Sequence, residues 1–208
     1  MGKSPYYLEY LQTTDRFPQS VYHRAKHDMV RQVFRSLEPA SLVLDAGCGV
    51  GHVTARYCAE YRVIGIDEQL SALQQCLLRC KGRYAQSSLY RLPLRDNVFD
   101  AILFLDAIEH LTHPVIVLKE LARVLKPEGV ILICTMNYES PLWFILEHTW
   151  HRFFGGPCKP YSKDVHPTRY TERLLREHGQ TSFQEVYLQK RVMNMELFYL
   201  GKKTHEVK

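Results

Sequence analysis

No apolar run in this 208-residue chain approaches the roughly 20 residues that a membrane-crossing helix needs. The first residues, MGKSPYYLEYLQTTDRF, lack an apolar h-region, so no secretory signal is expected. Their Met-Gly-Lys-Ser start also lacks the Ser or Thr of a myristoylation pattern, because position 6 is Tyr6. No CxxC pair occurs among Cys48, Cys58, Cys76, Cys80, Cys134 and Cys158. A chain this long does not need disulfide staples, so six thiols in a reducing, cytoplasmic setting are expected. Repeats, low-complexity stretches and linkers are missing too. With 46% hydrophobic and 24% charged residues, the composition is that of a single globular domain over 1–208.

The net charge of +5 is unevenly spread. Residues 1–44 carry 6 Lys and Arg against 4 Asp and Glu, residues 45–149 carry 10 against 12, and residues 150–208 carry 11 against 6. The basic last quarter suits a nucleic acid, a membrane surface or simply a solvated face.

Short β-rich runs alternate with amphipathic stretches. SLVLDAG (41–47), RVIGID (62–67), RYAQSS (83–88), FDAILFLD (99–106) and VILICTMN (130–137) read as strands. Between them, 53–61, 70–80 and 114–125 read as helices. Continuous apolar strands separated by helices predict a parallel sheet covered on both faces. Residues 20–37 add a helix before the first strand, and aromatic residues 140–154 another after the last. TRYTERLLREHG (168–179) reads as a helix with Gly179 as its cap. FQEVYLQ and MELFYLGKK then pair as an antiparallel hairpin turning near Lys190–Asn194.

The sharpest chemical signal is Asp45-Ala-Gly-Cys-Gly-Val-Gly51, placed between a strand and a helix. Gly47, Gly49 and Gly51 permit a tight turn and close approach of a ligand to the main chain. A pyrophosphate fingerprint would read G-x-G-x-x-G. Here an acid stands in front, repelling an anionic ligand and welcoming one that carries an ammonium and a sulfonium. Asp67 ends the next strand 22 residues on, where an acid accepts hydrogen bonds from ribose hydroxyls.

At these residues the chain resembles the class I S-adenosylmethionine-dependent methyltransferases, in the type 11 branch that contains ubiquinone and menaquinone biosynthesis enzymes. LVLDAGCGVG and VIGID are similar to that family's first two motifs. RLPLRDNVFDAILFLDAIEHLTHP is similar to its L-P-x-x-D-x-x-F-D segment with an E-H pair, and LARVLKPEGVILI to its K-P-G-G turn, with Glu128 replacing the first glycine.

The resemblance implies an α/β, Rossmann-like seven-stranded sheet in the order 3-2-1-4-5-7-6, strand 7 antiparallel, with helices on both faces. The element pattern and composition divide the chain into a helical segment over 1–40, a cofactor core over 41–137, a substrate lid over 138–168, and a C-terminal helix and hairpin over 169–208. The cofactor that the resemblance implies is S-adenosyl-L-methionine. Gly47, Cys48, Gly49 and Gly51 are then expected along its methionine part, Asp45 at its amino group and Asp67 at its ribose. Glu68 and Gln69 border the adenine, Ser88 stands where relatives carry an acid for the adenine amino group, and Leu89 offers its N–H. Asp106 and Ala107 face the crevice, and Arg24 of the N-terminal helix meets the cofactor carboxylate.

The expected base toward the acceptor is His110, with Glu109, His113, Tyr138, His148 and His166 as further candidates. An aromatic segment with Trp143 and Trp150 suits a lid over a small apolar or ring-containing acceptor, or contact with a membrane surface. Packing on the sheet is its other use. Two rival readings stay open: an RNA-modifying methyltransferase, and a cofactor-binding protein without catalysis. Pro157-Cys158 sits in the wrong loop for the nucleophile of cytosine-5 methyltransferases. His148 and His151 lack a third ligand, so no metal site is expected. Cys76 and Cys80 share a helical face and read as core thiols.

Overall fold

The computed structural model describes residues 19–149 and 165–203. Trp150, His151, Pro157 and Cys158, and with them about half of the proposed lid, lie outside the described residues.

Seven strands form one sheet in the order β3-β2-β1-β4-β5-β7-β6. They are β1 (Leu42–Ala46), β2 (Arg62–Asp67), β3 (Arg83–Gln86), β4 (Phe99–Leu105), β5 (Leu125–Met136), β6 (Phe183–Arg191) and β7 (Glu196–Lys203). The first five run parallel, and β7 is antiparallel to both β5 and β6. This is the order and the one reversal expected from the sequence.

The period of two along each strand divides the core. Leu44, Ile102, Phe104, Ile131, Ile133 and Tyr199 face one side. There they meet Val117, Leu118 and Leu121 of α4 (Pro114–Val124) and Leu175 of α6 (Glu172–Gly179). Val43, Ala101, Leu103, Leu132 and Phe198 face the other side. They pack on Met29, Val30, Val33 and Phe34 of α1 (Gln19–Arg35) and Tyr57 of α2 (His52–Tyr57). Helix α3 (Leu70–Arg79) buries Ala72, Leu73 and Cys76, and α5 (Pro141–His148) follows β5.

Several details differ from expectation. Strand β5 begins at Leu125, which pairs with Phe99, and the register then jumps to Ala101↔Val130. The Lys126–Gly129 turn is thus looped out inside the strand, with Glu128 at φ +63°. Helix α6 starts only at Glu172, because the Thr171 hydroxyl accepts the Leu174 N–H at 3.1 Å and caps it. Gly179 is its last residue, not a left-handed cap: a Cβ there would sit 2.7 Å from the Tyr199 ring. Cys58 and Cys80, each directly after a helix on the same flank of the sheet, are joined as a disulfide with their Cα atoms 7.3 Å apart. The expectation of six free thiols, Cys80 among them, is corrected by this bond. Among the described residues, no helix is long and apolar enough to cross a membrane.

Candidate active site

At the C-terminal edge of β1 the chain folds back over β2. The Gly47 and Cys48 N–H groups donate to the Ile66 carbonyl at 2.7 and 3.0 Å. This turn needs left-handed backbone, with φ of +55° at Gly49 and +74° at Gly51. Gly51 is further constrained by space, since a Cβ there would lie 2.7 Å from Cys76 Sγ. Cys48 does not turn its side chain to the crevice. Its sulfur lies beside Gly65 and shares a hydrogen bond with Cys76, and that bond together with burial pushes the thiol pKa far up.

Two carboxylates are fixed around the turn. Asp67 is buried, and its Oδ2 accepts the Gly49 N–H while Oδ1 accepts the Gln69 N–H, both at 2.9 Å. Each carboxylate oxygen keeps a lone pair for a further donor. Asp45 is buried as well, and accepts the Thr54 hydroxyl at 2.5 Å. Desolvation pushes its pKa up to about 6, against the opposing pull of the Thr54 bonds. A nearby cation would reverse that shift.

Around the mouth, Glu68 is exposed and Gln69 half-buried. The Gln86 side-chain amide donates to the Glu68 carbonyl at 2.9 Å, and the Ser87 N–H to the Asp67 carbonyl at 3.1 Å. Ser88 is exposed, its hydroxyl accepting the Tyr90 N–H at 3.4 Å. Leu89 is buried beneath the turn, next to Gly47. Ala107 lies against Gly47 from the β4 side, where a Cβ on the glycine would be 2.9 Å away. These residues lie at the C-terminal ends of β1, β2 and β4, the edge where open α/β sheets bind ligands.

Arg24 is the exception. It is exposed and bonds back to Ser20 within its own helix. The basic side chain that α1 turns inward is Lys26, which pairs with Asp106 and stands 3.5 Å from Glu196. Asp106 has left-handed φ, +49°, and the Lys26 ammonium holds its carboxyl below the usual range despite burial. Glu196 is pushed up to about 8 by burial. Lys26, Glu196 and Thr54 were missed in the sequence. For Lys26 the signal existed: it precedes Met29, Val30, Val33 and Phe34 by helical spacing, on the same buried face.

Beyond the end of β4 a second polar group gathers. Glu109 is wholly buried, and its Oε2 accepts the Thr135 hydroxyl at 3.0 Å. Burial, followed by the Asp106 charge, pushes its pKa up to about 8. His110 Nδ1 lies 2.8 Å from the Val165 carbonyl, and the His110 and His166 rings meet edge-on at 4.7 Å. A carbonyl only accepts, so Nδ1 carries the proton and Nε2 the lone pair. His166 Nδ1 lies 2.5 Å from the Tyr138 hydroxyl. The Thr168 hydroxyl donates to the Leu111 carbonyl at 2.9 Å and holds this segment on the turn after β4.

Trp143 of α5 is buried, edge-on to Tyr138, while Phe144 and Ile145 are exposed. Arg169 lies over the Tyr138 ring at 4.9 Å and pairs with the buried Glu147. Residues 138–149 are thus packed and tied. His113 and His148 are exposed.

Comparison with known proteins agrees with this architecture. Residues 44–133 match the family described as "Methyltransferase domain". A probable S-adenosylmethionine-dependent methyltransferase of Mycobacterium tuberculosis is 31% identical over 118 residues, 56% of this chain and 43% of that protein. The ubiquinone/menaquinone biosynthesis C-methyltransferase UbiE of Syntrophotalea carbinolica is 33% identical over 140 residues, 64% of this chain and 55% of that protein. The first curated relatives are longer, the match spanning 42%, 37% and 43% of their lengths. In fold, the PH0226 protein of Pyrococcus horikoshii superposes with a TM-score of 0.74 at 17% identity, over 98% of this chain and 100% of that one. Over residues 44–133 the chain thus matches a methyltransferase domain, and its sheet has the order that this resemblance implies.

Proposed function

We propose that this chain binds S-adenosylmethionine across the ends of β1, β2 and β4 and methylates a small apolar or ring-containing acceptor above β4 and β5. The observation that carries the reading is the bond from the Gly49 N–H to Asp67 Oδ2, which locks the glycine turn to the acid ending β2. That pairing holds one carboxylate ready for ribose hydroxyls and leaves Asp45 beside the turn for an ammonium. Lys26, rather than Arg24, is the inward cation of α1 on this reading. The bound cofactor supplies an electrophilic methyl on a positive sulfur.

The chain's own work is positioning, which is worth up to about 7–11 kcal/mol in such displacements. Ala107 and Leu89 close the crevice behind the turn. His110 and Tyr138, both partly exposed, supply polar surface toward the acceptor. The exposed Phe144 and Ile145 of α5 offer apolar surface nearby. Relatives named as a sterol 24-C-methyltransferase and as a ubiquinone/menaquinone C-methyltransferase support an apolar or ring-containing acceptor.

The RNA reading loses its main argument in the described part of the last quarter. Arg169, Arg173, Arg176 and Lys190 there pair with Glu147, Glu177, Glu185 and Glu172. Methyl-labelled cofactor offered to pools of small acceptors and of RNA tests the proposal. Label is expected in a small molecule, with a rate nearly independent of salt. Label in RNA, with affinity falling steeply as salt rises, would overturn it.

A further inference from the structure

We propose that Glu109, His110 and His166 bind a divalent transition-metal ion. These residues come from two segments distant in sequence, yet each brings a ligand atom within 4.8 Å of the others. A shared ion with bonds near 2 Å would draw such atoms to about 3–3.5 Å, a rotamer adjustment rather than a refolding.

Three further features fit a metal centre better than a set of packed side chains. Each prospective ligand already has an outer partner of the kind that orients metal ligands: the Val165 carbonyl for His110, the Tyr138 hydroxyl for His166, and the Thr135 hydroxyl for Glu109. The bond to Val165 places an N–H of His110 on Nδ1, so coordination would use Nε2. Glu109 Oε1, fully buried, has no hydrogen-bond partner. A buried carboxylate oxygen in that state is costly, and a cation would satisfy it.

Two imidazoles and one carboxylate select a zinc-like or other first-row ion rather than calcium or magnesium. Three protein ligands also leave coordination positions open. A second group of metal-binding residue types, Asp106, Cys134 and Glu196, already surrounds the Lys26 ammonium and has no need of an ion. The proposal does not depend on methyl transfer. It makes residues 165–168 and the turn after β4 a single stapled unit.

The test uses untagged protein stripped with a chelator and titrated with Co2+. One equivalent should bind, giving visible absorption bands and a raised melting temperature, and Zn2+ should displace it. His166→Ala and the near-isosteric Glu109→Gln should each weaken binding more than about a hundredfold, since even an outer partner is worth 10–100-fold. Thr135→Val should weaken it by about 10–100-fold. His113→Ala, a change to an exposed neighbouring histidine, should leave the stoichiometry intact. Circular dichroism confirms which variants are folded; if His166→Ala is not, Glu109→Gln alone decides. No Co2+ uptake by the wild type, or uptake unchanged in folded Glu109→Gln, would overturn the proposal. S-adenosylhomocysteine titrated into the same samples reports the cofactor reading separately.

Discussion

Asp45 shows at a single residue how the site works against the stability of the free protein. Its carboxyl titrates near 6 in the fold and near 3.8 in an unfolded chain, because burial penalises the charge. Below pH 3.8 both states are protonated and the residue contributes nothing. As pH rises from 3.8 to about 6 the unfolded chain ionises before the fold does, so stability falls by up to about 3 kcal/mol and then stays level. Asp45→Asn, whose amide oxygen can still accept from Thr54, should therefore stabilise the free protein above pH 6 and change little below pH 4. Urea unfolding across that range measures this, and cofactor affinity should fall in the same variant. Glu128 is the second such residue. It stands at φ +63° where the family places glycine, and left-handed backbone costs a side chain roughly 1–2 kcal/mol. Glu128→Gly should raise the urea midpoint by up to about 1 kcal/mol of stability, the gain reduced by glycine's larger unfolded entropy.

Helix α1 is bound to the sheet by an apolar stripe and by one buried ion cluster. Lys26→Met should cost up to about 3 kcal/mol, less than a fully buried pair would, because the Asp106 side chain that loses its cation is 36% exposed. Denaturant unfolding checks the size of the loss. Adding Glu196→Gln to that variant should change stability little at pH 7, because burial already keeps most of the Glu196 carboxyl protonated there. Sequence made elements of this kind legible to different degrees. The strands and the glycine turn followed from apolar runs and a local motif, both of which depend on neighbouring residues, while the strand order followed only from the family resemblance. The choice of Lys26 over Arg24 depended on helix phase, which the spacing of Lys26 to Met29, Val30 and Val33 carried and which its pairing with Asp106 and Glu196 makes plain. By contrast, His166 reaches Glu109 and His110 only because the chain after α5 returns over β4. The Cys58–Cys80 bond likewise joins two helix ends that no spacing rule brings together. Gly179 misled in the opposite sense: its position at a helix end suggested a cap, but the close approach of Tyr199 explains it.

For the molecule as a whole, the sheet separates two tasks. The ends of β1 and β2 hold the glycine turn and its two acids, while the ends of β4 and β5 carry Glu109, Thr135 and Tyr138 toward the returning segment at His166. Binding of the cofactor across the first of these edges is the central claim, and calorimetric titration of wild-type protein and Gly49→Val tests it most directly. A valine at φ +55° is strained, and its branched side chain fills the turn. Wild-type protein should bind one S-adenosylhomocysteine, and NAD at least about tenfold more weakly, a difference of about 1.4 kcal/mol or more. Gly49→Val should keep its circular dichroism spectrum and lose that binding. Comparable NAD affinity in the wild type, or unchanged S-adenosylhomocysteine affinity in folded Gly49→Val, would contradict the account.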